Sequence, residues 1–240
     1  MSDYQKEKPQ SIQRLFDCIA PKYERGNQLL SFYTYKLWNR KLIRETLQDP
    51  ERQILLDLCA GTGEITYEYL KKVRKPKTAY LLDFSKEMLG IAEKKRAKVS
   101  GDHTLHFLNA DACQIPLEPA QVDAITCAYG IRNIVDPDKA LEEAFRVLKP
   151  GGRIGILELT RPTNPLLRKF HHTYLKWMVP KIGKLITTDE EAYSYLSRSI
   201  EHFTDPVVLK EKMERAGFES VELKYLFGGI ATLLHGNKAQ

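Results

Sequence analysis

Asp57, Gly61, Thr62, Gly63 and Glu64 fall within eight residues, directly behind the apolar run Ile54-Leu55-Leu56. That order reads as a buried strand whose carboxyl end bends tightly into a helix starting near Glu64, the place where an α/β sheet receives a nucleoside. Glycines at 61 and 63 let the backbone approach a ligand closely. A dinucleotide fingerprint would need a third glycine where Thr66 stands, and a phosphate loop would need Gly-Lys-Ser/Thr where Glu64 follows the last glycine. A helix N-terminus attracts anions, but Asp57 and Glu64 would repel a pyrophosphate. An acid followed by Gly-x-Gly suits a cationic, phosphate-free nucleoside, a description that S-adenosylmethionine meets. The plain alternative is a strand–turn–helix with no ligand.

Three more strand ends carry polar groups. Asp83 follows Tyr80-Leu81-Leu82 and can accept hydrogen bonds from two ribose hydroxyls, or can serve the start of the next helix. Asp111, in Asn109-Ala110-Asp111-Ala112, is placed to bind an exocyclic amine of adenine or to hold a turn. Tyr129-Gly130 closes a fourth apolar run, where a transferred group would sit. Binding at the carboxyl ends of strands is the rule for such sheets.

The elements that would position these groups alternate. Strands are expected over Gln53–Cys59, Thr78–Asp83, Leu105–Leu108, Val122–Tyr129 and Arg153–Leu159, with helices over Glu64–Val73, Lys86–Val99 and Asp138–Leu148 between them, the last ended by Pro150-Gly151-Gly152. This is a parallel sheet covered on both faces. Before it, residues 1–10 read as frayed, Ile12, Leu15, Phe16 and Ile19 follow helical spacing, and Leu37, Trp38, Leu42 and Leu47 mark a second helix that ends at Asp49-Pro50. After Leu159 the pattern breaks into an aromatic-rich helical insertion at about 160–204. A helix over Pro206–Ala216 follows, then two apolar runs, Val221–Leu226 and Ala231–His235, joined by Gly228-Gly229 as a β-hairpin. The division expected is an N-terminal helical segment, 1–49, and a main domain, 50–240.

The chain has 240 residues and a formal net charge of +6, with basic and acidic residues interspersed and no basic stripe that would suit nucleic acid. Cys18, Cys59, Cys113 and Cys127 show neither C-x-x-C spacing nor a disulfide framework, so a reducing compartment and no metal site are expected. Met1–Gln10 is polar and charged, so no leader is expected, and no apolar run along the chain approaches transmembrane length. The expectation is a cytoplasmic protein, with room for contact at the inner face of a membrane and for a homodimer.

Residues 109–159 contain Ala-Asp-Ala-Cys-Gln-Ile-Pro-Leu, Tyr-Gly-Ile-Arg-Asn-Ile, Arg-Val-Leu-Lys-Pro-Gly-Gly-Arg and Leu-Glu-Leu-Thr. With Phe16-Asp17, Ile19-Ala20-Pro21-Lys22-Tyr23 and Asn27-Gln28-Leu29-Leu30-Ser31 before them, and Tyr193-x-Tyr195-Leu196, Ser199-Ile200, Ala216-Gly217-Phe218, Gly229-Ile230-Ala231 and His235 after, the chain resembles the ubiquinone/menaquinone biosynthesis C-methyltransferase family. The resemblance runs from about Phe16 to Lys238. It implies a Rossmann-like class I S-adenosylmethionine-dependent methyltransferase fold, with a mostly parallel seven-stranded sheet and a C-terminal antiparallel hairpin. It also implies methylation of a ring carbon of a prenylated quinol, with the N-terminal segment covering that substrate. The family's cofactor positions fall on Thr62, Asp83, Asp111 and Ala112, beside Asp57, Gly61, Gly63 and Tyr129. Departures are Ala60 for a common glycine, Ala128 for a serine, and Tyr33, Tyr35 and Lys36 for a Gly, a His and an Arg.

Carbon methylation of a quinol needs an ionised hydroxyl, since negative charge on the neighbouring ring carbon makes it the nucleophile. Orientation, a route for the proton and a group to stabilise the phenolate are therefore required. Arg132 is the candidate stabiliser, being permanently charged, and could also hold a water that takes the proton; a plain ion pair with an acid such as Asp136 is the alternative. Asn133 could orient that water or a ring oxygen, and Tyr23 and Tyr129 could contact the ring. Of His171 and His172, adjacent on a helix, at most one points inward, and packing or a lid is their expected role; His235 is expected to be structural. Leu166, Leu167, Phe170, Tyr174, Trp177, Met178 and Val179, with Lys169, Lys176 and Lys181 around them, suit a prenyl slot or an interfacial surface as well as plain packing. A naphthoquinol acceptor leads. A benzoquinol, another lipid or small molecule, and a non-catalytic S-adenosylmethionine-binding module stay open.

Overall fold

β1 (Ile54–Leu58) sits at the centre of a seven-stranded sheet ordered β3-β2-β1-β4-β5-β7-β6 in the computed structural model, which describes residues 8–47, 49, 53–186 and 190–240. β2 (Thr78–Asp83), β3 (Thr104–Asn109), β4 (Val122–Ala128) and β5 (Leu148–Leu159) join it in parallel. β7 (Ala231–Asn237) runs antiparallel to β5 and pairs with β6 (Glu219–Leu226), the expected terminal hairpin. β1 is flanked by β2 on one side and β4 on the other, so the strand order reverses there and opens a crevice at the carboxyl edge.

Alternation along the strands feeds two cores. Leu56, Leu58 and Ile125 face α6 (Pro137–Val147) and α10 (Pro206–Arg215). Leu55, Leu81 and Ala124 face α3 (Tyr35–Leu47), α4 (Glu64–Leu70) and α5 (Lys86–Lys95). The helix starts follow the sequence: Ser85 accepts the amide of Met88, Asp136 that of Lys139 ahead of Pro137, and Asp205 that of Val207 ahead of Pro206.

β5 starts five residues before its expected first residue. Helix α6 ends at Val147, and Pro150-Gly151-Gly152, expected as the helix stop, are already strand. The C-terminal tail holds them, with Gly151 donating to the carbonyl of Lys238 at 3.0 Å and Lys238 to that of Gly152 at 3.0 Å. Pro50, the expected entry to the main domain, lies outside the described residues, as do residues 1–7 of the expected frayed start.

Over the carboxyl edge lies a helical layer drawn from two distant stretches. α1 (Pro9–Ile19) and α2 (Tyr23–Leu30) come from the N-terminal end; α7 (Pro165–Thr173), a π-helical turn (Tyr174–Met178), α8 (Val179–Ile186) and α9 (Glu190–Glu201) follow β5. Ile12 and Leu15 pack with Ala192 and Tyr195, and Leu30 joins the cluster of Leu175, Val179, Tyr193 and Ile200. Helix α2 was not expected, because Gly26 and Asn27 break its apolar spacing. No helix among the described residues is long and apolar enough to cross a membrane.

Candidate active site

The turn after β1 follows from its backbone. Cys59, Gly61 and Gly63 all have positive φ, at 57°, 54° and 76°. A Cβ placed on Gly61 would meet nothing within 4 Å, so the loop opens onto free space at the crevice, as a close-lying nucleoside requires. Tyr129 at the end of β4 also has a positive φ, 58°, uncommon for an aromatic residue. Gly130 follows it because a Cβ there would fall 2.3 Å from Cβ of Cys59, and two strand ends could not close on each other.

Asp57 does not face that space. Its position in the strand alternation puts it on the α4 face. There Oδ2 accepts the hydroxyl and amide of Thr66 at 2.7 and 3.3 Å, and Oδ1 accepts the hydroxyl of Thr126 at 2.9 Å. Burial pushes its carboxyl up to about 6 against those hydrogen bonds. Asp83 links the loop to the next turn, accepting the amide of Gly61 at 2.7 Å on one oxygen and that of Ser85 at 2.9 Å on the other. Burial also raises Asp83 to about 6. Thr62 is buried and gives its hydroxyl to Glu24 of α2 at 2.6 Å, while Lys95 bridges Glu24 and the carbonyl of Thr62. Asp111 is exposed and accepts the amide of Cys113 at 2.8 Å, the geometry of a turn, and Ala112 packs into the core.

Between the strand ends and the helical layer lies a cavity of about 410 Å³, a volume suited to a small-molecule ligand. Its walls are mostly apolar, with Leu15, Ile19, Leu30, Leu159, Leu175 and Val179 among them. Arg132, Tyr23, Tyr129 and Tyr35 also line it, so Arg132, Tyr23 and Tyr129 are brought together as expected. Tyr129 donates its hydroxyl to Asn39 at 2.8 Å. Burial raises the phenol of Tyr23 while the nearby Arg132 opposes the shift. Asn133 is held rather than free, accepting the hydroxyl of Tyr195 at 2.8 Å and donating weakly to the carbonyl of Tyr129 at 3.4 Å.

The acid paired with Arg132 is Glu158, not Asp136. Nη1 lies 2.5 Å from Oε1 of Glu158 and 2.6 Å from the carbonyl of Tyr129, Nε reaches Ser199 at 3.3 Å, and the Arg132 amide reaches Oε2 of Glu158 at 3.2 Å. Asp136 is occupied at the start of α6. Both partners of the pair are buried, Glu158 at 0% exposure. Glu158 interrupts the apolar run Ile154–Leu159, and a charge inside a central strand must be paired; that was the signal for it in the sequence. Glu24 and the Tyr35–Glu64 contact had no local signal, because each joins segments that only the fold brings together.

His171 lines the cavity and burial pushes its imidazole down to about 4, while His172 turns to Glu201 at 2.7 Å, so one of the two points inward as the helix geometry required. His235 is buried in β7 between Glu222 and Glu45, away from the cavity.

Residues 3–238 match the ubiE/COQ5 methyltransferase family. The chain is 46% identical over 240 residues to the demethylmenaquinone methyltransferase of Protochlamydia amoebophila (strain UWE25), covering 99% of each protein. It is 41% identical over 222 residues to that of Chlamydia pneumoniae, covering 92% of this chain and 93% of the other. It is also 35% identical over 232 residues to the ubiquinone/menaquinone biosynthesis C-methyltransferase UbiE of Francisella tularensis subsp. tularensis (strain WY96-3418), covering 97% and 92%. Among solved structures, a SAM-dependent methyltransferase from Thermotoga maritima matches with a TM-score of 0.65 at 21% identity, over 94% of this chain and 99% of its own. At such identity the likeness is one of fold.

Proposed function

The chain belongs to the ubiE/COQ5 methyltransferase family, and from that premise we propose that it converts demethylmenaquinol to menaquinol, with S-adenosyl-L-methionine as methyl donor. It is a C-methyltransferase of menaquinone biosynthesis. The observation that carries the acceptor class is the cavity: a mostly apolar chamber whose polar lining includes Arg132 and several tyrosines suits a prenylated ring with two hydroxyls. Relatives named for menaquinone alone are 46% and 41% identical, the one named for both quinones 35%, which favours the naphthoquinol.

The donor, when bound, supplies an electrophilic methyl group. The open loop at Gly61 fits it, and Asp83 at the end of β2 is the acid in reach of a ribose. Arg132 orients the acceptor. Three of its hydrogen bonds hold the guanidinium against Glu158, Tyr129 and Ser199, while Nη2 has no partner among the described residues and is left for a ring oxygen. Asn133, fixed by Tyr195, supports the loop that carries it, and Tyr23 and Tyr129 contact the ring. The apolar walls exclude water from the reacting carbon, which protects the sulfonium from hydrolysis. Exposed Leu166, Phe170, Trp177 and Met178 on α7 and the π turn, with Lys169 and Lys176 beside them, would let the cavity draw its substrate from a membrane surface.

The test is transfer of labelled methyl to demethylmenaquinone, with and without chemical reduction, beside the benzoquinone precursor. Label in menaquinone only after reduction is the expected result. Label in neither quinol, with the donor still bound, would overturn the reading.

A further inference from the structure

The reaction releases one proton, and the groups around the cavity differ sharply in their ability to take it. Arg132 is a cation already neutralised by Glu158, and both oxygens of that carboxylate are engaged, Oε1 by the Arg132 side chain and the amide of Leu159, Oε2 by the amide of Arg132. His171 is neutral, but burial makes it a poor base. Tyr23 and Tyr129 are phenols whose burial opposes ionisation.

One arrangement differs in its partner: burial and Glu64 oppose ionisation of the Tyr35 phenol as well, but a carboxylate stands behind Tyr35 to take its proton, so it need not ionise. Tyr35, in the first turn of α3, lines the cavity and donates its hydroxyl to Oε1 of Glu64 at 2.6 Å, a short charge-assisted bond. Glu64 is the first residue of α4, directly after Gly63, and so adjoins the loop where the methyl donor fits, with Tyr35 between it and the cavity. No salt bridge to Glu64 occurs among the described residues. Lys36 of α3 acts on it only at longer range, Glu68 of α4 and burial oppose its charge, and Tyr23 and Tyr129 are the phenols that feel it across the cavity. The contact joins two positions, 35 and 64, that no sequence pattern pairs.

We propose that Tyr35 and Glu64 form the proton-accepting relay of the methyl transfer, with Tyr35 touching the quinol hydroxyl and Glu64 receiving the proton behind it. This rests on the quinol reading given above. The quinol O–H proton passes to Oη of Tyr35 as the Tyr35 proton passes to Oε1 of Glu64. The electron pair left on the ring oxygen is delocalised to the ring carbon, which forms the new C–CH₃ bond as the donor's S–CH₃ bond breaks. Loss of the ring C–H proton to solvent then restores aromaticity and leaves a phenolate; Tyr35 returns a proton to that oxygen as Glu64 returns its own to Tyr35, so the hydroxyl and the relay are restored and one proton is released in all. A general base of this kind contributes about 10²–10⁴-fold in rate. Tyr35 is the catalytic residue of the pair and Glu64 acts through it.

The experiment compares Glu64→Gln, Tyr35→Phe and Tyr35→His with the full-length wild type on reduced demethylmenaquinone from pH 6 to 10, with donor binding measured separately by calorimetry. The expected result is a loss of about 10²-fold or more in kcat for Glu64→Gln and Tyr35→Phe, with KM and donor Kd within threefold. The kcat of Glu64→Gln should rise tenfold per pH unit as hydroxide replaces the lost base. Tyr35→His should recover most of the rate, since imidazole can accept from the quinol and donate to Glu64. A kcat within threefold of wild type in Glu64→Gln, or a loss that is constant with pH and matched by weaker donor binding, would overturn the relay while leaving the methyltransferase reading intact. Absence of turnover in the wild type itself would instead sink that reading.

Discussion

The carboxyl edge of the sheet and the helical layer above it hold their polar groups in opposite ways. At the edge, each buried acid is tied at two or more points: Asp57 by Thr66 and Thr126, Asp83 by two backbone amides, Glu158 by the Arg132 side chain and two backbone amides. In the helical layer the surfaces are apolar and the polar ties to the edge are separate side-chain bonds at scattered points, such as Glu24 to Thr62, Gln13 to the carbonyl of Phe84, Tyr195 to Asn133 and Asp17 to Ser85, the last at 2.5 Å. A carboxylate tied at several points fixes backbone geometry, because moving it breaks several bonds at once. A single tie between a helix and a loop can break and re-form without disturbing the rest. Under the proposed function, the edge would hold a donor and an acceptor in register, and the layer would let them in.

The sharpest way to break that contrast is Arg132→Ala. It leaves Glu158 charged and unpaired at zero exposure, so stability should fall by about 3–5 kcal/mol, measured as the urea midpoint. Activity should vanish with it. Because the cost belongs to the orphaned acid, the double variant Arg132→Met with Glu158→Leu should recover most of the stability and none of the activity. A fall below about 1 kcal/mol in the single variant would mean that water reaches Glu158 and that the edge is no more rigid than the layer.

The next effect is smaller and depends on pH. Asp57 titrates near 6 in the folded protein against an ordinary value of 3.8. A folded value raised above the unfolded one means that the folded state binds the proton more tightly. The favourable contribution is complete below about pH 4 and is lost as pH rises through 6. Between pH 4 and 7 the wild type should therefore lose about 2 kcal/mol relative to Asp57→Asn, which does not titrate there. A difference between the two midpoints that stays constant over that range would show Asp57 to be solvated, against its burial.

What the sequence disclosed follows the same division. The edge was legible because its signals are local: alternating apolar residues, a glycine turn after β1, and acids at strand ends within a few positions of the strands that carry them. Strand existence, order of types and the terminal hairpin could be read that way. The direction of Asp57 was missed although the alternation that decides it was present. The partner of Arg132 was missed because Asp136, near in sequence, stood in for Glu158, near in space across the parallel pairing of β4 and β5. The helical layer was legible only as helices. That Leu30 would meet Val179, or Glu24 reach Lys95, depends on packing between segments about 70 to 150 residues apart, and no spacing within either segment encodes it.

The smallest effect tests the layer itself. Glu24 is one-third exposed and Lys95 about one-fifth, so their ion pair is partly solvated and worth less than about 1 kcal/mol. In Glu24→Gln the amide oxygen can still accept from Thr62, while the attraction to Lys95 is lost. The urea midpoint should therefore stay near that of the wild type, and the change should appear locally as faster amide hydrogen exchange over 9–30 with β1 and β4 unaltered. Faster donor dissociation should accompany it, since Thr62 lies in the loop that the donor approaches. Exchange over 9–30 that proceeds only through global unfolding, in both variant and wild type, would put the layer in the same cooperative unit as the edge. The contrast between a fixed floor and an opening cover would then have no basis, because every tie across the cavity would break only when the sheet does.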